Sequence, residues 1–265
     1  MAIAQNPVEQ NNLFEELYLS HHQHVYHLAY GLTGNAHDAE EVTQEAFFRA
    51  FRAYHTFRND SSFFTWIYRI TLNIAKDYLK IRAKLPLEAL TEDYGYSIEQ
   101  LVDPNPANDP ETQALANEVK YKCLHFLIEC LPINQRKVFC LAITLDLPHK
   151  IVAEILGCSV GSVKTTLHRA KKRWVGYMEN RCSLIKKSNP CHCNQWVRFG
   201  LEKGWLPREI PTQPRPAVMV QAKEEILKLK DLREIYQNLY QKKADKSFAE
   251  RVREGIQKKE WANFL

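Results

Sequence analysis

The sequence predicts an all-α protein: two small helical domains, an acidic linker between them, and a helical C-terminal extension. Three observations carry this. Apolar residues recur at i, i+3, i+4 and i+7 through several stretches. The window from Leu85 to Val119 has no lysine or arginine and is broken by prolines. A turn at Gly157-Cys158-Ser159 separates a short helix from a longer basic one.

At 265 residues, with 45% hydrophobic composition, the chain has room for about two ordinary domains. The net charge of +5 is modest, and its uneven distribution carries more information than its size. No apolar run approaches the ~18 residues of a membrane span, and the start MAIAQNPVEQ lacks a signal-peptide pattern. A cytoplasmic location without membrane insertion is therefore expected. Seven cysteines, an odd number and mostly inside helical patterns, do not read as a secreted disulfide framework. There is no Gly-rich phosphate loop, Ser/His/Asp set or paired-carboxylate arrangement, so neither an enzymatic role nor a required cofactor is expected.

Phe14, Leu17, Tyr18, Val25, Leu28, Ala29 and Leu32 predict a first helix that stops at Gly34, a left-handed C-cap. His21, His22, His24 and His27 read as a solvated helix side, because no cysteine or carboxylate cluster joins them. Asn35 caps a second helix, with Asp38 placed at its positive end. Its inner face is Ala39, Val42, Thr43, Ala46, Phe47, Ala50, Tyr54 and Phe57. Its outer face carries Glu41, Gln44, Glu45 and Arg52 around Phe48. An aromatic ringed by polar groups is the composition of a protein-binding hot spot; the alternative is that Phe48 packs on the first helix or on the following segment.

Ser61 or Ser62 caps a third helix with Phe63, Trp66, Ile67, Ile70, Ile74 and Tyr78 at buried-face spacing. Thr65, Arg69, Asn73, Lys76 and Lys80 fall in a strip about 80° wide, flanked by Phe64, Trp66 and Tyr68. Cations suit phosphates, aromatics stack bases and Asn73 can pair with a base edge; a core helix with a solvated basic edge is the alternative.

The stretch DAEEVTQEAFFRAFRAYHTFRNDSSFFTWIYRITLNIAKDYLKIRAK resembles region 2 of bacterial sigma factors, most closely the extracytoplasmic-function (ECF) group, from about Leu13 to Lys84. The resemblance implies that Asp38, Glu41, Gln44, Glu45 and Phe48 dock on the clamp-helix coiled coil of RNA polymerase's largest subunit. It also implies that Arg58, Asn59, Ser62, Phe64, Thr65, Trp66, Arg69, Asn73, Lys76 and Lys80 hold unpaired bases of the −10 promoter element. Residues 10–84 form this domain.

Residues 85–114 are acidic (Glu88, Glu92, Asp93, Glu99, Asp103, Asp109, Glu111) with prolines at 86, 104, 106 and 110. Such a stretch is expected as a flexible linker. It is either a plain tether or, as the resemblance implies, a segment threading the polymerase's active-site and RNA-exit channels.

Residues 115–181 predict helices at Leu115–Leu131, Ile133–Leu145 and Pro148–Leu156, then a last helix capped by Ser159. Val160, Val163, Leu167, Ala170, Trp174 and Met178 form its buried stripe. From Val160 to Met178 there are five cations and no acid. This is a helix-turn-helix whose last helix suits the major groove. Base contacts are expected from Ser162, Thr165, Thr166 and Arg169, with Lys164 and Lys172 on phosphates and His168 beside them. LPINQRKVFCLAI…AEILGCSVGSVKTTLHRAKKRW resembles sigma region 4, which reads the −35 element. Thr166 departs from the family's usual long side chain, and Ile151 from its usual glutamate.

Residues 182–265 form the extension. Cys182, Cys191, His192 and Cys193 gather around Pro190 as a zinc or redox site, or as plain thiols in a turn. Gly204–Pro216 is a Pro-rich hinge, followed by amphipathic helices around Ile226–Leu239 and Phe248–Lys258. The expected partners are core RNA polymerase and promoter DNA, with an anti-sigma factor a further class. The rivals are a conventional helix-turn-helix regulator and an anti-sigma-like protein-binding adaptor. The acidic face around Phe48 argues against the first, and the basic strips argue against the second.

Overall fold

The computed structural model describes residues 7–57, 62–79, 86–206 and Tyr236. Among them the helices are α1 (Pro7–Thr33), α2 (Ala36–Ala53), α3 (Phe63–Ala75), α4 (Pro86–Tyr94), α5 (Ile98–Leu101), α6 (Pro110–Glu129), α7 (Ile133–Phe139), α8 (His149–Leu156), α9 (Val160–Arg181) and α10 (Val197–Glu202). No strand occurs among the described residues beyond one isolated bridge between Cys182 and Cys191. The class is all-α, as expected, and no described helix is long and apolar enough to cross a membrane. The extension helices expected at Ile226–Leu239 (apart from Tyr236) and Phe248–Lys258 lie outside the described residues, as do Arg58, Asn59 and Lys80.

The described residues fall into two compact units. The first holds residues 7–57, 62–79 and 140–165. Here α1 ends at Gly34, whose φ of 86° is left-handed, and Asn35 starts α2 by accepting the Asp38 N–H at 2.8 Å. The helices α1, α2 and α3 pack on one another through Phe14, Tyr18, Leu28, Leu32, Phe47 and Ile67, all fully buried. The predicted inner face of α2 is buried from Ala39 to Ala50, while Tyr54 and Phe57 sit half-buried at its end. Cys140–Thr144 forms one π turn, with the Leu145 N–H donating to the Cys140 carbonyl at 3.0 Å. That turn packs against α1, and α8 packs against α3. Gly157, at φ 65°, closes α8, a conformation in which a Cβ is strained.

The second unit holds residues 86–139, 166–206 and Tyr236. The connector expected as a flexible linker instead contains α4 and α5. Leu87, Leu90 and Leu101 are buried there, and α4 packs on α6. The i, i+3 pair Leu87 and Leu90 gives this acidic stretch an apolar side, and Ser97 with Gln100 closes a capping box on α5. Asp109 then caps α6 by accepting the Thr112 N–H at 2.9 Å, with Pro110 in the first turn.

Tyr236 packs into this unit. Its ring meets Phe139 edge-on at 5.0 Å. Its hydroxyl accepts the Trp174 indole N–H at 2.6 Å and donates to the Leu124 carbonyl at 2.9 Å. All of this is buried. Tyr236→Phe keeps the ring but strands the Trp174 N–H, a loss of about 1–3 kcal/mol. Urea unfolding followed by tryptophan fluorescence checks this; an unchanged midpoint would contradict the assignment.

Candidate functional site

The outer face of α2 lines a groove of about 510 Å³ formed by Glu41, Gln44, Glu45, Phe48 and Arg49 with Ile74, Asp77 and Tyr78 from α3 and the 3-10 turn after it. Phe48 is half-exposed. It faces Arg52, whose guanidinium lies 5.6 Å from the ring centre. The two expectations for Phe48 therefore meet: it packs toward the following segment and still presents an edge to solvent. Arg49 donates to Glu45 at 2.6 Å, holding one wall. Burial, then the Glu41 carboxylate that accepts its hydroxyl, pushes the Tyr78 phenol above its ordinary range. Ile74, Asp77 and Tyr78 were absent from the sequence-derived set, because their spacing placed Ile74 and Tyr78 on the buried side.

On α3, the Ser62 hydroxyl accepts the Thr65 N–H at 3.2 Å and lies 3.1 Å from the Thr65 hydroxyl. Thr65 is 1% exposed. Its role is to build the helix start, which corrects its expected place on the DNA-facing strip. Tyr68, expected to flank the strip, is fully buried and stacks obliquely under Phe64 at 4.2 Å. Phe64 and Trp66 are half-exposed, and Arg69, Asn73 and Lys76 are exposed. Trp66 leans on Phe57 at 5.0 Å and on Phe63 at 5.7 Å. The Arg69 guanidinium donates to the Glu154 carbonyl at 2.7 Å and to that of Ile155 at 3.4 Å, the carbonyl-rich end of α8.

Along α9, the Ser159 hydroxyl accepts the Ser162 N–H at 3.1 Å. Val163, Leu167, Ala170, Trp174 and Met178 are buried as expected. Val160, in the first turn, is 37% exposed and leaves that stripe. Ser162, Lys164, Thr165, His168, Arg169 and Lys172 are exposed and Thr166 is half-exposed. Ser162, Thr165, Thr166, Arg169 and Lys172 share about 120° of the helix circumference.

In the second unit, Cys182 is buried and Cys191 and Cys193 are half-buried. His192 is exposed and departs from the expected cluster, since its side chain turns to solvent where the flanking thiols turn inward. Cys123 of α6 joins them instead: burial first, then Cys191, Cys193 and Cys182, hold its thiol well above the ordinary range. Burial and neighbouring cysteines likewise push Cys191 up to about 11 and Cys193 up to about 12. Among the described residues no three His, Cys, Asp or Glu groups stand at metal-ligand spacing. Cys123 lies far from the Cys-X-Cys motif in sequence, so no local pattern announced it.

Ser62→Ala removes the cap of α3 and is expected to cost about 1 kcal/mol, read as a lowered thermal midpoint with little change in helical circular dichroism. A midpoint matching the parent would contradict the cap.

The sequence matches the Sigma-70 region 2 family over residues 17–84 and the Sigma-70 region 4 family over residues 121–173. It is 32% identical over 176 residues to the ECF RNA polymerase sigma factor SigE of Mycolicibacterium smegmatis, covering 66% of this chain and 65% of that protein. It is 31% identical over 160 residues to the RNA polymerase sigma-H factor of Pseudomonas aeruginosa (60% of this chain, 82% of that one). With the ECF RNA polymerase sigma-E factor of Escherichia coli it shares 33% identity over 142 residues (51% and 71%). Among solved structures it is similar to the sigma factor RpoE from Bartonella quintana, in complex with the anti-sigma factor NepR. That likeness has a TM-score of 0.43 and 20% identity, and covers 63% of this chain and 98% of that one. The chain therefore belongs to the ECF sigma factors, non-enzymatic initiation factors that bind core RNA polymerase and promoter DNA.

Proposed function

We propose that the chain acts in the cytoplasm by dividing polymerase and promoter contacts among three exposed surfaces. Asp38, Glu41, Gln44, Glu45 and Phe48 bind the clamp helices of core polymerase. Ser62, Phe64, Trp66, Arg69, Asn73 and Lys76, with Arg58, Asn59 and Lys80, hold the unpaired −10 bases. Ser162, Lys164, Thr165, Thr166, His168, Arg169 and Lys172 read the −35 element. The observation that carries this reading is the half-exposed Phe48 in an acid-rimmed groove on α2, a feature a DNA-only regulator does not need. Arg69 is committed to the α8 carbonyls, so it enters a −10 pocket only by exchanging them for DNA. An anti-sigma factor, if the chain has one, would act by covering these same surfaces. The test is whether the purified chain lets core polymerase initiate at specific sites on its own genomic DNA; initiation no different from core alone would refute the reading.

Truncating Phe48 and Glu45 together to alanine is expected to weaken core binding by about 2 kcal/mol or more, roughly thirtyfold, with helical content nearly unchanged. Normal core affinity in a folded double variant would move the contact elsewhere.

Asn73→Ala is expected to impair open-complex formation while sparing duplex binding. Arg169→Ala is expected to weaken −35 duplex binding by about 1–3 kcal/mol. A pre-melted promoter should not rescue the Asn73 variant; rescue would place that side chain outside the single-strand pocket.

A further inference from the structure

In the second unit the extension closes over the connector. The 3-10 turn Cys193–Trp196 and α10 pack on α6, with Trp196 and Phe199 buried. From there the contacts run to residues 94–103. The Asp103 N–H donates to the Gln195 carbonyl at 2.8 Å, and the Asp103 carboxylate pairs with Arg198 at 3.9 Å. The Tyr94 ring meets Phe199 edge-on at 5.0 Å, and the Tyr94 hydroxyl accepts the Trp205 indole N–H at 3.4 Å. The Lys203 ammonium lies 5.6 Å from the Tyr94 ring centre and 5.8 Å from that of Tyr96, within cation–π reach of both.

The extension is folded for this contact. The Gly200 carbonyl accepts the Trp205 and Leu206 N–H groups at 2.8 and 3.0 Å, which turns the chain back over α10. A Cβ on Gly200 would stand 2.7 Å from the Leu206 side chain, and Leu206 is buried, so a methyl there displaces it. The turn sets Trp205 parallel to Trp196 at 6.5 Å and brings its indole to Tyr94. The connector needs that hold. Helix α4 is nine residues long, too short to persist alone. It packs on α6 and buries Leu87, Ala89 and Leu90 among its described side chains.

We propose that residues 193–206 are a strap that keeps α4 and α5 docked, shortens the connector, and so narrows the range of −10 to −35 spacings the chain engages at once. The effect on spacing rests on the promoter contacts proposed above. Fully extended, residues 86–109 span up to about 80 Å; docked beside α6, they lend little of that length to the link from α3 to α6. Two linked surfaces engage two sites together only where the linker covers the separation. A short tether therefore selects spacing, and a long one tolerates variation. The polar contacts of the strap are individually weak, since the Arg198 side chain is 52% exposed. Its footing is the buried pair Trp196 and Phe199.

The test compares the full chain with two strap variants, the double change Tyr94→Ala with Lys203→Ala and the single change Gly200→Ala. Hydrogen exchange of the free chains, mapped by mass spectrometry, comes first. Amides of residues 86–103 should exchange at least about tenfold faster in both variants, while those of α9 keep the parent's protection and show that the rest of the unit is folded. Initiation by core polymerase is then measured on promoters whose −10 to −35 spacing is changed in single base pairs, about 3.4 Å each. The parent should lose most of its initiation within about two base pairs of its best spacing, and the variants should keep several-fold more of theirs. Parent-like exchange in both variants, or faster exchange with an unchanged spacing profile, would overturn the proposal. A parent that initiates at no spacing would instead refute the promoter contacts on which the spacing effect rests.

Discussion

The exposed faces of α2 and α3 depend on how Phe14 is surrounded. Its ring meets Phe51 at 5.2 Å, Tyr54 at 5.5 Å, Phe63 at 6.1 Å and Phe47 at 6.4 Å, all edge-to-face. Edge-to-face pairs contribute about 0.5–1.5 kcal/mol each beyond burial, and they are directional. One side chain of α1 thereby sets the rotation of α2 and the start of α3 about their own axes. Once Phe47 is committed to that core, Phe48, one residue and 100° on, turns toward the groove. Once Phe63, Ile67 and Thr71 are buried, Arg69 and Asn73 fall on the exposed side of α3.

The same division recurs on α9 with different chemistry. Val163, Leu167, Ala170 and Trp174 are buried, and Lys164, Thr165, His168, Arg169 and Lys172 between them are exposed. The exposed residues from Ser162 to Lys172 are hydroxyls, cations and His168, without an acid. That is the composition of a surface whose partner is a polyanion. The α2 groove carries the reverse charge around an aromatic, a composition suited to a protein. The two surfaces thus differ in charge, and each is held in place by its own buried stripe.

Much of this was legible in the sequence because helical periodicity reports burial directly. The inner face of α2, the stripe of α9 and the caps Asn35 and Ser159 follow from spacing and residue type, while the start of α3 narrows to Ser61 or Ser62. The exceptions have identifiable causes. Thr65 fits a polar strip by angle, but at the third position of α3 it turns inward beside its own cap. Val160 fits the apolar stripe, yet the first turn of α9 leaves it uncovered. The acidic connector looked unable to bury a core because composition averages over Leu87, Leu90 and Leu101. Arg69 meets α8 and Cys123 meets the Cys-X-Cys turn only through tertiary contacts between residues far apart in sequence.

In the proposed division, α2 faces polymerase while α3 and α9 face promoter DNA. Photo-crosslinking tests it most directly, with a reactive residue placed in turn at Gln44, Asn73 and Thr165 of the full chain, assembled with core polymerase and promoter. Gln44 is expected to crosslink to the largest polymerase subunit, Asn73 to the −10 strand and Thr165 to the −35 duplex. A Gln44 probe that labels DNA, or Asn73 and Thr165 probes that label only protein, would contradict it.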